Sequence, residues 1–368
     1  MSKRAALFAV LVAFVSGVII SLAIRPPGET NSGRITPQTG SVENRINWRL
    51  PLAFNTTLPV LGDNAKYLRD TIVAVSNGAI VFDTYEPGEI VPAFSITDAV
   101  RDHKVDVGLT WLGYDQGKIP ASVLLGAVPF GMEPMAYMAW WFDGEGYKLA
   151  EELYAPQNVH PILCGLTGPE TAGWFREPIE KLADLEGLKI RFAGLGGRVL
   201  ERLGASVTML PGGEIFQALE KGAIDASEYA LPIVDQKLGF NRIAPYNYYP
   251  GWHQPATSSH LIINMDAWQR TTPGDQALIT AVCTSAVTRN LARSEALQGA
   301  VIAGFADIGV HAMSLPEPLL RELESVTNEV MQEEAEKNAM FAKIYAHQSA
   351  FRQEYEHWKH LAYLPRNF

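Results

Sequence analysis

Between residues 165 and 255, short apolar runs alternate with stretches of helical spacing, and polar residues gather where the runs end. The run 159–164 leads into Gly165-Leu166-Thr167-Gly168-Pro169-Glu170, and the run 188–192 carries Arg191. The run 207–210 precedes Pro211-Gly212-Gly213-Glu214, and the run 224–229 carries Glu228 near its end. Such a pattern buries its apolar runs in a sheet with helices packed on it, and ligands bind such sheets beyond the carboxyl ends of the strands.

The preceding residues repeat the theme. Residues 47–54 form a strand pattern despite Pro51, and residues 61–77 have helical spacing with Tyr67, Leu68, Ile72 and Val75 on one side. Residues 79–85 alternate, 94–103 suit a short helix and 105–109 a further strand. This β-α-β-α-β order predicts a parallel sheet with right-handed crossovers. Trp111 and Tyr114 follow the third strand and are candidates both for cleft walls and for core aromatics. Residues 127–132 (AVPFGM) suit an edge strand, because Pro129 has no N–H to donate. The Met and aromatic mixture at 132–142 reads as core, and residues 147–154 as helix. Strand and helix continue at 264–268 and 275–291, and Leu319, Leu323, Val326 and Val330 make the apolar stripe of a long helix. His357-x-x-His360 has metal-like spacing, but Trp358, Leu361 and Tyr363 around it favour packing or surface.

At the N-terminus, Lys3 and Arg4 precede an uncharged apolar run over residues 5–24. Twenty helical residues span about 30 Å, so residues 1–24 read as a signal peptide, cut after Ser21-Leu22-Ala23, or as an uncleaved membrane anchor. Either way the positive-inside rule puts the rest of the chain outside the cytoplasm. Residues 25–45 read as a flexible linker. A formal net charge of −10 without a basic stripe excludes a nucleic-acid binder. The two cysteines, Cys164 and Cys283, lie far apart in apolar runs and read as two small core residues, not as a disulfide framework.

Arg191 leads the candidate site residues. An arginine at the end of an apolar strand is costly to bury unpaired, and its fork matches a carboxylate, from a ligand or from a nearby glutamate. The loop Gly194-Leu195-Gly196-Gly197 imitates a dinucleotide fingerprint but has Val199 where the third glycine belongs. Glu170, Glu228 and Gln254 are oxygen donors, a set that suits Ca²⁺ or Na⁺ and not zinc. HExxH, GxSxG and P-loop motifs are all missing, so nothing calls for catalysis or an organic cofactor. Three readings follow: a binding module, a membrane-anchored metal-dependent hydrolase or lyase with Glu170 as base, and a ligand-sensing module for a receptor.

The motifs GLTGPETAGWF, DLEGLKIR, FAGLGG, VLERLGA, LPGGEIFQALEKGAIDASEY, KLGF and YYPGW, in this order, resemble those of the extracytoplasmic solute-binding subunits of TRAP (tripartite ATP-independent periplasmic) transporters. The resemblance runs from about residue 47 to 358 and implies a two-lobed α/β fold, periplasmic-binding-protein-like, with crossing strands and a long C-terminal helix. It implies residues 46–155 and 237–285 as one lobe, 156–236 as the other, and 286–368 as C-terminal helices clasping both. It implies capture of a small organic acid, a 2-oxo or 2-hydroxy carboxylate, for delivery to TRAP membrane subunits, with a homodimer as one assembly. Arg191 matches the family's carboxylate-gripping arginine, with Glu170, Tyr114, Phe192 and Tyr229 shaping the pocket. A cation bridging ligand and protein falls at Glu228, Tyr229 and Gln254. The chain departs from the pattern in three places: Glu170 stands where relatives have Gln, Asp115 where they have Trp, and His253-Gln254 where they have Trp-Glu.

Overall fold

The computed structural model describes residues 45–364. The N-terminal apolar run and nearly all of the linker lie outside the described residues. Among the described residues no helix is long and apolar enough to cross a membrane.

The chain opens with β1 (Ile46–Pro51), α1 (Leu61–Val75), β2 (Ile80–Tyr85), α2 (Ile96–Arg101) and β3 (Val107–Thr110). β1 and β2 pair in parallel from Ile46 opposite Ile80 to Pro51 opposite Tyr85, and Leu52 bridges Leu109 in parallel. α1 buries Leu68 and Ile72 as its spacing predicts, whereas Val75, at its last position, is exposed. Then follow α3 (Val123–Gly126), α4 (Pro134–Phe142), α5 (Gly146–Tyr154) and β4 (Val159–Thr167). Residues 127–132 form no strand. Pro129 lacks a donor, Phe130 N donates instead to Trp252 O at 2.7 Å, and Gly131 N closes a turn on Val128 O. Of the 132–142 mixture, Met132 and, on helix α4, Tyr137, Trp140 and Trp141 are core, whereas Met135 and Phe142 are exposed.

The next elements are β5 (Gly173–Phe175), β6 (Lys189–Arg191), α6 (Gly194–Arg202), β7 (Ser206–Thr208), α7 (Gly212–Glu220), β8 (Ala226–Ser227), α8 (Pro232–Leu238) and β9 (Tyr246–Tyr249). The chain ends with β10 (Thr257–Asn264), α9 (Met265–Arg270), α10 (Pro273–Ala303), β11 (His311–Ser314), α11 (Glu317–Lys337) and α12 (Ala339–Ala362). β10 lies between β3 and β4, antiparallel to both. The expected parallel sheet therefore continues through an antiparallel strand, because β10 returns from the other sheet and enters from the opposite end. The other sheet has the order β11-β9-β5-β8-β6-β7, and its β6 is parallel to both β7 and β8. The chain passes between sheets after β4, again after β9 and, through α9 and α10, after β10. The first two crossings hold Glu170 and His253-Gln254, which ties the site to the joint of the architecture.

Cys164 of β4 and Cys283 of α10 are buried in the core as expected, but the expectation that they stay unpaired is overturned: they form a disulfide across 119 residues. α10 lies along β4 and buries Ile279, Val282, Cys283, Ala286 and Val287, so the two thiols meet inside that packing. The stripe on α11 is as expected, with Leu319, Leu323, Val326 and Val330 all buried. His357 and His360 are exposed on α12.

Candidate functional site

Arg191 is the last residue of β6 and Glu228 follows the end of β8, so the parallel pairing of these strands sets the two side by side. Arg191 Nη1 donates to Glu228 Oε2 at 2.8 Å and to the Glu228 carbonyl at 2.6 Å, while Nε donates to Leu210 O at 3.2 Å. Among the described residues, Nη2 donates to none. Glu228 Oε2 also accepts Ala193 N at 3.2 Å, just before α6. Its other oxygen, Oε1, has no hydrogen bond and lies 3.4 Å from His253 Nε2. Arg191, Glu228 and His253 are each 1% exposed.

The two crossings complete the cluster. Glu170 N donates to Gln254 O, Thr171 N to Ala230 O and Ala172 N to Tyr248 O, which fixes the first crossing against the second. Gly251 and Gly196 permit the close approach. A Cβ on Gly251 would meet Glu170 O at 2.2 Å, and one on Gly196 would meet the Phe192 ring at 2.5 Å and His253 Cβ at 2.8 Å. With its amide nitrogen turned inward, Gln254 donates to both Glu170 oxygens, at 2.7 and 3.1 Å, and to Thr257 Oγ1 at 2.9 Å. One oxygen of Glu170, one of Glu228 and one ring nitrogen of His253 lie within 4.8 Å of one another.

Electrostatics separates the two carboxyls. Burial pushes Glu228 up, but the charge of Arg191, with His253 and the Ala193 N–H, outweighs it and holds Glu228 below the usual range. Burial, reinforced by the charge of Glu228, drives Glu170 well above that range. Burial pushes the Tyr114 phenol up to about 12, with Arg191 opposing and Glu228 and Glu170 reinforcing, so Tyr114 faces the same cluster.

The sequence pattern of the family described as bacterial extracellular solute-binding protein, family 7 (DctP), matches residues 55–338. The chain belongs to this family. A monocarboxylate 2-oxoacid-binding periplasmic protein of Nostoc sp. is 31% identical over 358 residues, 97% of this chain and 96% of the relative. A TRAP transporter solute-binding protein from Bordetella bronchiseptica was solved as a mixed-occupancy dimer, one site holding copurified calcium and picolinate and the other apo. It is 31% identical, covers 86% of this chain and 95% of its own, and has a TM-score of 0.85. A TRAP periplasmic solute-binding protein from Pseudoalteromonas atlantica, with bound sodium and pyruvate, is 29% identical over 86% of this chain and 97% of its own, with a TM-score of 0.83. The protein is thus a family-7 solute-binding protein of the TRAP type, with that two-lobed fold.

In this family-7 protein the residues singled out from the sequence come together. Arg191, Glu170, Glu228 and Gln254 form the cluster. The Tyr229 ring lies under the Arg191 guanidinium, 5.1 Å from its central carbon to the ring centroid. Phe192 packs on Trp252 and, edge-on, on His253, with centroids 6.0 and 4.6 Å apart. Trp111 is buried edge-on to Tyr114, with its Nε1 unpartnered. Asp115 faces away, to Thr97 and Tyr154. Two participants escaped the sequence reading. Asp235 accepts Trp174 Nε1 and the Ala230 N–H behind Glu228. His253 was passed over in favour of its neighbour Gln254. Its departure from the family's Trp at that position was the available signal.

Proposed function

We propose that the protein captures a small 2-oxo or 2-hydroxy monocarboxylate together with a cation and delivers it to TRAP membrane subunits without transforming it. The observation that carries this reading is Arg191: a buried guanidinium with one terminal nitrogen spent on Glu228 and the other, Nη2, without an acceptor among the described residues. A ligand carboxylate supplies that acceptor. Tyr114, Phe192 and Tyr229 enclose the carbon skeleton and exclude water, which strengthens the ionic contacts. The relatives that contain pyruvate or picolinate with sodium or calcium support the ligand class and the cation. A cation fits the residues present, since among the described residues Glu228 Oε1 and both nitrogens of His253 are buried without hydrogen-bond partners. Glu228, Tyr229 and Gln254 were the expected holders; of these Glu228 stands in the donor cluster, with Glu170 and His253 beside it. When bound, the ion supplies positive charge between the ligand's oxygens and the two glutamates. The lobes follow the two sheet systems, and the protein works in the periplasm, released or tethered by residues 1–24.

The test is pyruvate binding by calorimetry in the presence of a divalent cation. Arg191→Ala is expected to weaken it at least about 100-fold, near 3 kcal/mol. Because removing Arg191 leaves Glu228 buried and unpaired, at about 3–5 kcal/mol, Arg191→Lys is measured beside it. Lysine keeps the charge but loses the fork, and binding is expected to fall about 10-fold or more. Wild-type affinity in both variants overturns the reading.

A further inference from the structure

We propose that the cation this site takes is a divalent ion with affinity for nitrogen, of the Zn²⁺ or Co²⁺ kind, held by Glu170, Glu228 and His253, in preference to Na⁺ or Ca²⁺. The inference rests on the reading of this site as the ligand site, and it turns on two observations.

The donors are already sorted. Glu228 spends Oε2 on Arg191 Nη1 and Ala193 N, and leaves Oε1 bare beside His253 Nε2. Their 3.4 Å separation matches that of two ligands each about 2.1 Å from a tetrahedral ion. Glu170 contributes the third donor within 4.8 Å.

His253 is 1% exposed and, among the described residues, neither ring nitrogen has a hydrogen-bond partner, Nε2 standing 3.4 Å from Glu228 Oε1. Buried polar groups are nearly always paired, so an orphaned imidazole aimed at two carboxylates marks a missing partner. The partner must accept a nitrogen lone pair and attract carboxylates, which describes a borderline metal ion. Sodium and calcium select oxygen donors, and a Trp at this position, as in the family pattern, offers no lone pair. Gln254 donates its amide hydrogens to Glu170, which makes it the residue that orients a ligand and not a ligand itself.

The experiment uses the full chain, stripped of metal with a chelator, in an H357Q/H360Q background that removes the exposed histidine pair on α12. Affinities for Zn²⁺, Co²⁺, Mn²⁺, Ca²⁺ and Na⁺ are measured alone and then with pyruvate, and the Co²⁺ form is read by its visible absorption. Tighter binding of Zn²⁺ or Co²⁺ than of Ca²⁺, by about 10-fold or more, is expected. His253→Gln and Glu170→Gln should each weaken Zn²⁺ about 10- to 100-fold, and His253→Gln should change the Co²⁺ spectrum while sparing Ca²⁺. Ca²⁺ or Na⁺ binding as tightly as Zn²⁺, or Zn²⁺ affinity indifferent to both substitutions, overturns the assignment. Pyruvate binding equally well with Ca²⁺ and Zn²⁺ refutes the preference but leaves acid capture standing. Pyruvate failing with every ion while His253-dependent Zn²⁺ binding persists refutes acid capture and upholds the metal.

Discussion

Asp115, 4% exposed, accepts hydrogen bonds from Thr97 Oγ1 and Tyr154 Oη, both at 2.8 Å, on one oxygen. Burial pushes its carboxyl from 3.8 up to about 6, against the pull of those two donors. A folded-state value above the unfolded one contributes stability that is complete below the unfolded value and is lost as pH rises through about 6. Two units correspond to about 3 kcal/mol. His260 works in the opposite sense. Burial lowers it from 6.5 to about 3, so its contribution is present above 6.5 and fades as pH falls toward 3. The wild-type profile mixes both, and the difference from Asp115→Asn isolates the carboxyl. In urea unfolding, that difference should move in favour of asparagine by about 2–3 kcal/mol between about pH 4.5 and about pH 7.5. A difference that stays flat means Asp115 is already ionised and paired.

At the scale of elements, the bond between β4 and α10 is the test case. Cross-linking residues 119 apart restricts the unfolded chain, and removing such a link costs about 2–5 kcal/mol. Unfolding of the wild type with and without reductant should differ by about that amount, whereas Cys164→Ala/Cys283→Ala should unfold identically under both conditions. Pyruvate affinity should be unchanged, since both cysteines belong to the β4–α10 packing. Equal wild-type curves with and without reductant would show that the link carries no stability. The pairing was illegible in the sequence because nothing local joins Cys164 to Cys283; only the docking of α10 along β4 brings them together. By contrast β2, α1 and α11 were legible, because the apolar period alone sets which face is buried. Residues 127–132 failed because Pro129 has no donor, Gly131 N closes a local turn and Phe130 N goes to Trp252 O in a distant segment. In the site, Arg191, Glu170 and Glu228 were legible as polar residues at the ends of apolar runs. His253 lies on a return segment with no period, where an isolated histidine has no partner that sequence can reveal.

For the whole molecule the difficulty is access, because Arg191, Glu170, Glu228, His253 and Gln254 are all 5% exposed or less. A ligand enters only if the two sheet systems part, and α11 and α12 span them. α11 is tied to α6, which starts at the site, by Arg198–Glu334 and Arg202–Glu333. α12 is tied to the other side by Trp140 Nε1 on His347 Nδ1 at 3.0 Å, Gln348 Nε2 on Leu124 O at 2.8 Å, and Lys343 with Glu152. The two helices meet at Asn338, whose side chain caps α12 through Phe341 N. Opening must therefore break the α6–α11 pairs or bend this joint, and those pairs favour the closed form. Surface ion pairs contribute about 0–1 kcal/mol each. Glu333→Ala/Glu334→Ala removes both pairs and is thus expected to lower the closed population by about 30-fold at most. The loss should appear in the release rate of pyruvate, with the association rate unchanged or faster. The unliganded variant should also give a larger radius of gyration in solution scattering. Stopped-flow release at the wild-type rate would show that α11 follows the closure without stabilising it, and the clasp would then rest on α12 alone.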